Sequence, residues 1–428
     1  MVMSSEVGQI EDVFRREHGR VVATLVRYFG DIDIAEAAVG EAFEVAAEHW
    51  PEGAVPPNPA AWITATARYL ALDRLRREAS RHGGNRRAIR ALEYSEPALS
   101  AGSEPDDRLR LIFTCCHPAV DRSDQVALTL LLLCGLTRRR IAQSFLVPEA
   151  TIGQRIVRAK RKIKSAAVPY SVPGPAELPG RLDAVLTAIH LVFNDGYLTA
   201  DDESLAADLC GEAIRLARML AELLPDEPEV LGLLALLVLT HSRRAARTDR
   251  DGSIVLLADQ DRSSWDQDLI EEGQWLVREC VRHGRPGPYQ IQAAIQAVHG
   301  TAATARKTDW RRILVLYDML MACTPTRVVA FNRAVAVAEV DGPEPALAVI
   351  DTLDLRSSYL FHATRGDLLS RLGRHAEAAQ AYQAALQLTS NLPERRFLAR
   401  RLGTLPVRLP FQHPAVTRQW RIPLAVLV

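Results

Sequence analysis

The chain has 428 residues, 52 Lys and Arg against 52 Asp and Glu, and is 48% hydrophobic but only 6% aromatic. That length calls for two or more domains with sizeable cores. The longest apolar run, residues 231–240, is too short to span a bilayer, no apolar segment follows a charged start, and six cysteines without paired spacing suit reduced thiols in a cytoplasm.

Alanine and leucine are abundant and alternating β-branched runs are few, so the expected fold class is all-α. Charge is unevenly spread. Residues 10–50 carry four arginines against nine carboxylates and read as acidic helices. In the second of these, Val39, Ala42, Phe43, Ala46, Ala47 and Trp50 fall on one stripe, leaving Glu36, Glu41, Glu44 and Glu48 for other faces. A proline-rich loop, residues 51–59, leads into a helix from Ala60 to about Arg77. Residues 68–90 then hold eight arginines against two carboxylates. Trp62 and Tyr69 beside those arginines suit a single-stranded nucleic acid, with bases stacked on the rings and cations on the backbone.

Residues 81–105 turn from basic to acidic among Gly, Ser and Pro and read as a linker, and residues 106–133 as packing helices. Cys115, Cys116 and His117 adjoin there, but neighbouring cysteines on a helix diverge and no second ligand pair is visible, so core packing is expected and no metal. Residues 137–164 hold nine basic residues against Glu149 alone. Ile141, Phe145 and Val147 give a first helix and turn their apolar side. Pro148 suits the first position of a second helix, in which Ile152, Ile156, Ala159 and Ile163 form a buried stripe. Short helix, tight turn and longer basic helix is helix-turn-helix geometry, whose second helix can enter a major groove. Arg155 and Arg158 are candidates for base edges, with Thr151 and Gln154 nearby and Lys160, Arg161 and Lys162 toward phosphates.

In series, GDIDIAEAAVGEAFEVAAEHW, PAAWITATARYLALDRLRR and GLTRRRIAQSFLVPEATIGQRIVRAKRKIK resemble a sigma factor of the extracytoplasmic-function (ECF) type. The resemblance implies a region 2 over residues 1–80 and a region 4 over 106–167, joined by the linker 81–105. It implies docking on the β′ clamp helices of core RNA polymerase through Asp33, Glu36, Glu41 and Phe43. It further implies capture of the melted −10 element by the helix bearing Trp62, Arg68, Tyr69, Asp73, Arg76 and Arg77. Duplex −35 DNA would be read by Thr151, Gln154, Arg155, Arg158, Arg161 and Lys162. Gly40, Tyr69, Leu146 and Gly153 depart from the usual pattern.

Residues 168–181, with four prolines and two glycines, read as a semi-rigid connector. Beyond it, residues 182–428 read as further helices. Residues 328–350 echo 359–388 at an offset of 31–32, and LLSRLGRHAEAAQAYQAALQL resembles a tetratricopeptide (TPR) repeat. The whole resembles the ECF subgroup with a long TPR-like extension, which is expected to contact the sigma domains and modulate them. No acid, base or metal set converges, so neither an enzyme nor a cofactor is expected. A one-component helix-turn-helix regulator with a TPR-like sensor is the alternative. The loop at residues 256–266 is flagged as a contact site through Asp259, Asp261, Arg262 and Trp265.

Overall fold

The computed structural model describes residues 3–50, 55–82, 107–145, 147–198, 203–249 and 253–406. The start of the proline-rich loop, most of the linker and Leu146 lie outside the described residues. Eighteen α-helices and no strand make up the described chain, as the composition predicts. It divides into two units, Met1–Val192 and Phe193–Val428.

The first unit starts with α1 (Met3–Phe29), α2 (Ile32–His49) and α3 (Pro59–His82). Asp31 caps α2, accepting from the backbone N–H groups of Asp33 and Ile34. Ala35, Ala38, Val39, Ala42, Phe43 and Ala46 form its buried face, while Ala47 is exposed. On α3 the buried residues among the described side chains are Ile63, Ala67 and Ala71, a stripe at i, i+4, i+8 whose small members let the helices approach closely. Then come α4 (Asp107–Cys115), α5 (Arg122–Leu132), α6 (Arg138–Ser144) and α7 (Glu149–Ser165). Ile152, Ile156, Ala159 and Ile163 are the buried residues of α7, the four that spacing predicts. Pro148 is its N-cap, one residue earlier than expected.

Burial pushes the Cys115 thiol up, with the neighbouring Cys116 adding to it. Burial likewise pushes Cys116 up to about 12. Both thiols are packing atoms, and no metal-binding cluster occurs among the described residues.

The stretch 168–181 is partly anchored rather than a free connector. The Tyr170 hydroxyl sits 2.7 Å from the Ala23 carbonyl and 3.0 Å from that of Asp107. Arg181 donates to the Phe113 carbonyl at 2.6 Å. The division between the units falls inside α8 (Leu178–Leu198).

The second unit continues with α9 (Glu203–Leu223), α10 (Pro228–His241), α11 (Gln267–Arg282), α12 (Pro288–Thr301) and α13 (Trp310–Cys323). The apolar run of residues 231–240 is the buried body of α10, as expected. Two helix pairs follow, α14 (Arg327–Val340) with α15 (Pro343–Thr352), and α16 (Tyr359–Arg371) with α17 (His375–Leu388). Corresponding helices start 32 residues apart, and α18 (Leu392–Gly403) closes the described chain. Gly366 of α16 lies against the Tyr382 ring of α17, and a Cβ there would approach that ring to 2.9 Å. Gly366→Ala is therefore expected to destabilise this unit by about 1–3 kcal/mol despite the better helix former. A denaturant titration checks it, and an unchanged midpoint would contradict this packing.

Candidate nucleic-acid interface and its acidic counterpart

Helix α7 owes its position to its apolar stripe, which packs on α5 and α6 and leaves the basic side outward. The turn is tied by Val147 N–H to the Ala142 carbonyl at 3.0 Å and Thr151 N–H to the Pro148 carbonyl at 2.9 Å. Gln154 and Arg161 are exposed, and Thr151 and Arg155 half-buried. Arg155 and Arg161 make no ion pair among the described residues, so no carboxylate occupies their donors.

Two of the expected DNA contacts are engaged within the protein. Arg158 grips Asp124 of α5 with two hydrogen bonds, Nε at 3.0 Å and Nη2 at 2.8 Å. The Asp124 side chain is fully buried, so Arg158 neutralises a charge that has lost water. Hydrogen bonding to Asp124 raises the Arg158 guanidinium above its usual range. Lys162 pairs with Asp121 at 2.8 Å, and this hydrogen bond holds the Asp121 carboxyl below its usual range. Asp124 went unnoticed in the sequence because one carboxylate on an apolar helix gives no signal before its partner is known.

On α3, Tyr69 is 65% exposed, while Trp62 is half-buried edge-on to Trp50, ring centroids 5.4 Å apart. Arg68 lies over the Tyr28 ring and donates to its hydroxyl at 2.9 Å. Arg77 pairs with Asp73, and Arg74 approaches Glu41 at 3.5 Å. Arg76 is exposed. Tyr69 is thus the exposed aromatic ring of this face. Tyr69→Ala is expected to weaken binding of a single-stranded oligonucleotide by about 1–3 kcal/mol, measured by fluorescence anisotropy; equal affinity would remove Tyr69 from the interface.

The acidic residues of α2 also have partners. Lys160 of α7, whose side chain is 12% exposed, reaches Asp33 at 2.6 Å and also pairs with Glu36. Arg138 approaches Glu36 at 3.9 Å, and Lys164 reaches Asp31 at 4.0 Å. Phe43 does not project from this face. It is 6% exposed and packs edge-on against Phe14 at 4.6 Å, so it holds α2 in the core. Arg27 pairs with Asp107 at 2.9 Å. A Cβ on Gly19 of α1 would stand 2.5 Å from the Leu133 carbonyl, and Gly135, at φ 70°, lies against the Phe14 and His18 rings. The basic helix pair thus meets the acidic helix through ion pairs, while α1 packs against the end of α5 and the residues just after it at positions that admit only glycine. Nothing in the linear pattern showed that these two runs of opposite charge meet.

Two families match the chain. Residues 13–81 match Sigma-70 region 2, and residues 181–281 match a family of unknown function, DUF6596. An uncharacterized protein of Rhizobium meliloti (strain 1021) is 41% identical over 409 residues, 94% of this chain and 97% of its own length. No solved structure matches the chain. Among the described residues no helix is long and apolar enough to cross a membrane.

Proposed function

We propose that the chain, whose residues 13–81 match Sigma-70 region 2, is an ECF-type sigma factor whose free form is closed by its own basic helix. Core RNA polymerase docks on the acidic face of α2 through Asp33, Glu36 and Glu41. Tyr69, with Trp62 and the arginines of α3, holds the melted −10 strand. Thr151, Gln154, Arg155 and Arg161 of α7 read the −35 duplex, where one bidentate arginine–guanine pair discriminates by about 1–3 kcal/mol. The protein is not an enzyme and works in the cytoplasm. Its TPR-like extension modulates these steps.

The observation that carries this reading is the seating of Lys160 on Asp33 and Glu36. One acidic face serves either α7 or the polymerase, so engagement of the polymerase releases the −35 reader. The test is transcription from a pool of bacterial promoter fragments by purified core RNA polymerase supplemented with the full chain. Specific transcripts are expected. Their absence, together with tight duplex binding by the chain alone, would favour a one-component regulator.

A further inference from the structure

The loop at residues 256–266 does not offer its arginine or tryptophan to a partner. Asp261 caps a short turn by accepting from the Ser263 N–H, and Trp265 is buried. Arg262 turns inward, over the Trp265 ring at 4.7 Å. It donates to the carbonyls of His299 and Ala302 at 2.6 Å each and to the Thr308 hydroxyl at 3.1 Å. Arg262 thereby closes the C-terminal end of α12, where a cation suits the exposed carbonyls.

A second arginine in the same interior has no such satisfaction. Arg243, just past α10, is 4% exposed and its Nε has no acceptor. Among the described residues its side-chain acceptor is the hydroxyl of Tyr197, over whose ring Arg247 also lies at 4.2 Å. His299 and Tyr317 lie within reach of the Arg243 charge; His299 is 1% exposed with neither ring nitrogen bonded, and Tyr317 is 3% exposed with an unbonded hydroxyl. Burial, with the charges of Arg243 and Arg262, pushes His299 down to about 3, so its ring is neutral and offers one N–H. No carboxylate among the described residues pairs with Arg243 or Arg262. A guanidinium keeps its proton in any protein setting, and a buried cation without a counter-charge is strongly unfavourable.

We propose that Arg243, with His299 and Tyr317, forms an anion-binding site inside the second unit that takes a small ligand through a phosphate or carboxylate group. Arg243 supplies the charge, while the Tyr317 hydroxyl and the imidazole N–H supply neutral donors from α13 and α12. Arg262 adds positive potential while staying bound to the end of α12. The inference stands independently of the sigma-factor reading, because it concerns the second unit alone and its test needs neither polymerase nor DNA.

The test uses the full chain in chloride buffer, titrated with inorganic phosphate and, in parallel, with sodium acetate at constant ionic strength. Calorimetry and thermal unfolding read the response. Saturable heat and a rise of about 3 °C or more in melting temperature are expected for at least one anion, and the anion that responds identifies the group. Arg243→Met is expected to abolish the response and Arg155→Gln, in the basic helix, to retain it. If Arg243→Met does not fold, Tyr317→Phe is expected to weaken binding about tenfold. No response in the native chain overturns the proposal, as do responses unchanged in Arg243→Met or in Tyr317→Phe. Hydrogen exchange gives the location: slowed exchange at residues 241–248 and 296–302 supports the site, and slowing confined to α7 refutes it.

Discussion

Gly19→Ala is expected to tighten binding of the full chain to core RNA polymerase by roughly 30-fold in the absence of DNA. Gly19 lies in the middle of α1, where alanine is the better helix former by about 1 kcal/mol. Region 2 itself therefore loses nothing by the change. The added Cβ would meet the Leu133 backbone carbonyl at 2.5 Å, and a backbone atom cannot rotate away as a side chain can. Contact between α1 and the end of α5 must open. Lys160 then loses its seat between Asp33 and Glu36, an interaction worth on the order of 2 kcal/mol for a triad in which Lys160 and Glu36 are largely covered and Asp33 is exposed. A closed form favoured by that much leaves a few per cent of molecules competent, which sets the 30-fold factor. Lys160→Glu is expected to act in the same direction by repulsion. Because no DNA is present, any role of Lys160 on phosphates does not enter. Biolayer interferometry with immobilised core polymerase measures both variants, and affinities equal to the parent would mean that the closed contact does not limit docking.

Arg158→Ala and Arg155→Ala are expected to fail in opposite ways. Removing Arg158 strands the buried Asp124 carboxylate, so the melting temperature of the first unit should fall by about 5 °C or more. Sequence preference should survive in the molecules that remain folded. The double substitution Arg158→Ala with Asp124→Ala should recover much of the loss, since deleting both members of a buried pair is far less harmful than deleting one. Arg155→Ala should leave melting unchanged and relax duplex preference at one position by about 1–3 kcal/mol. Calorimetry alongside binding to a panel of −35 variants separates the two outcomes. A cool-melting Arg155→Ala, or a stable Arg158→Ala with altered preference, would reverse these assignments.

The buried stripe of α7 was legible in the sequence because isoleucines at i, i+4 and i+11 with Ala159 leave one way to orient a helix. So was the body of α10, where nine residues in a row, 231–239, carry no polar side chain. Phe43 was not placed correctly by its resemblance. A helix position matching a docking residue says nothing of which way the ring turns, and Phe14 supplies a closer partner. Arg158 sat among the basic residues of α7 with nothing to distinguish it from Arg155. The difference lies in Asp124, 34 residues away, and such pairings are invisible to local spacing. The inward turn of Arg262 was hidden for the same reason, since its acceptors are carbonyls on α12 and a hydroxyl on Thr308.

The closed arrangement and its release by the polymerase are tested most directly by energy transfer between dyes on α2 and α7. Glu48→Cys and Ser165→Cys, both at exposed positions, accept dyes in a Cys323→Ser background, which removes the exposed native thiol. In the free chain transfer should be efficient, and saturating core RNA polymerase without DNA should lower it sharply as α7 leaves Asp33 and Glu36. Unchanged transfer in a complex shown to have formed, or no complex at all, would contradict the account.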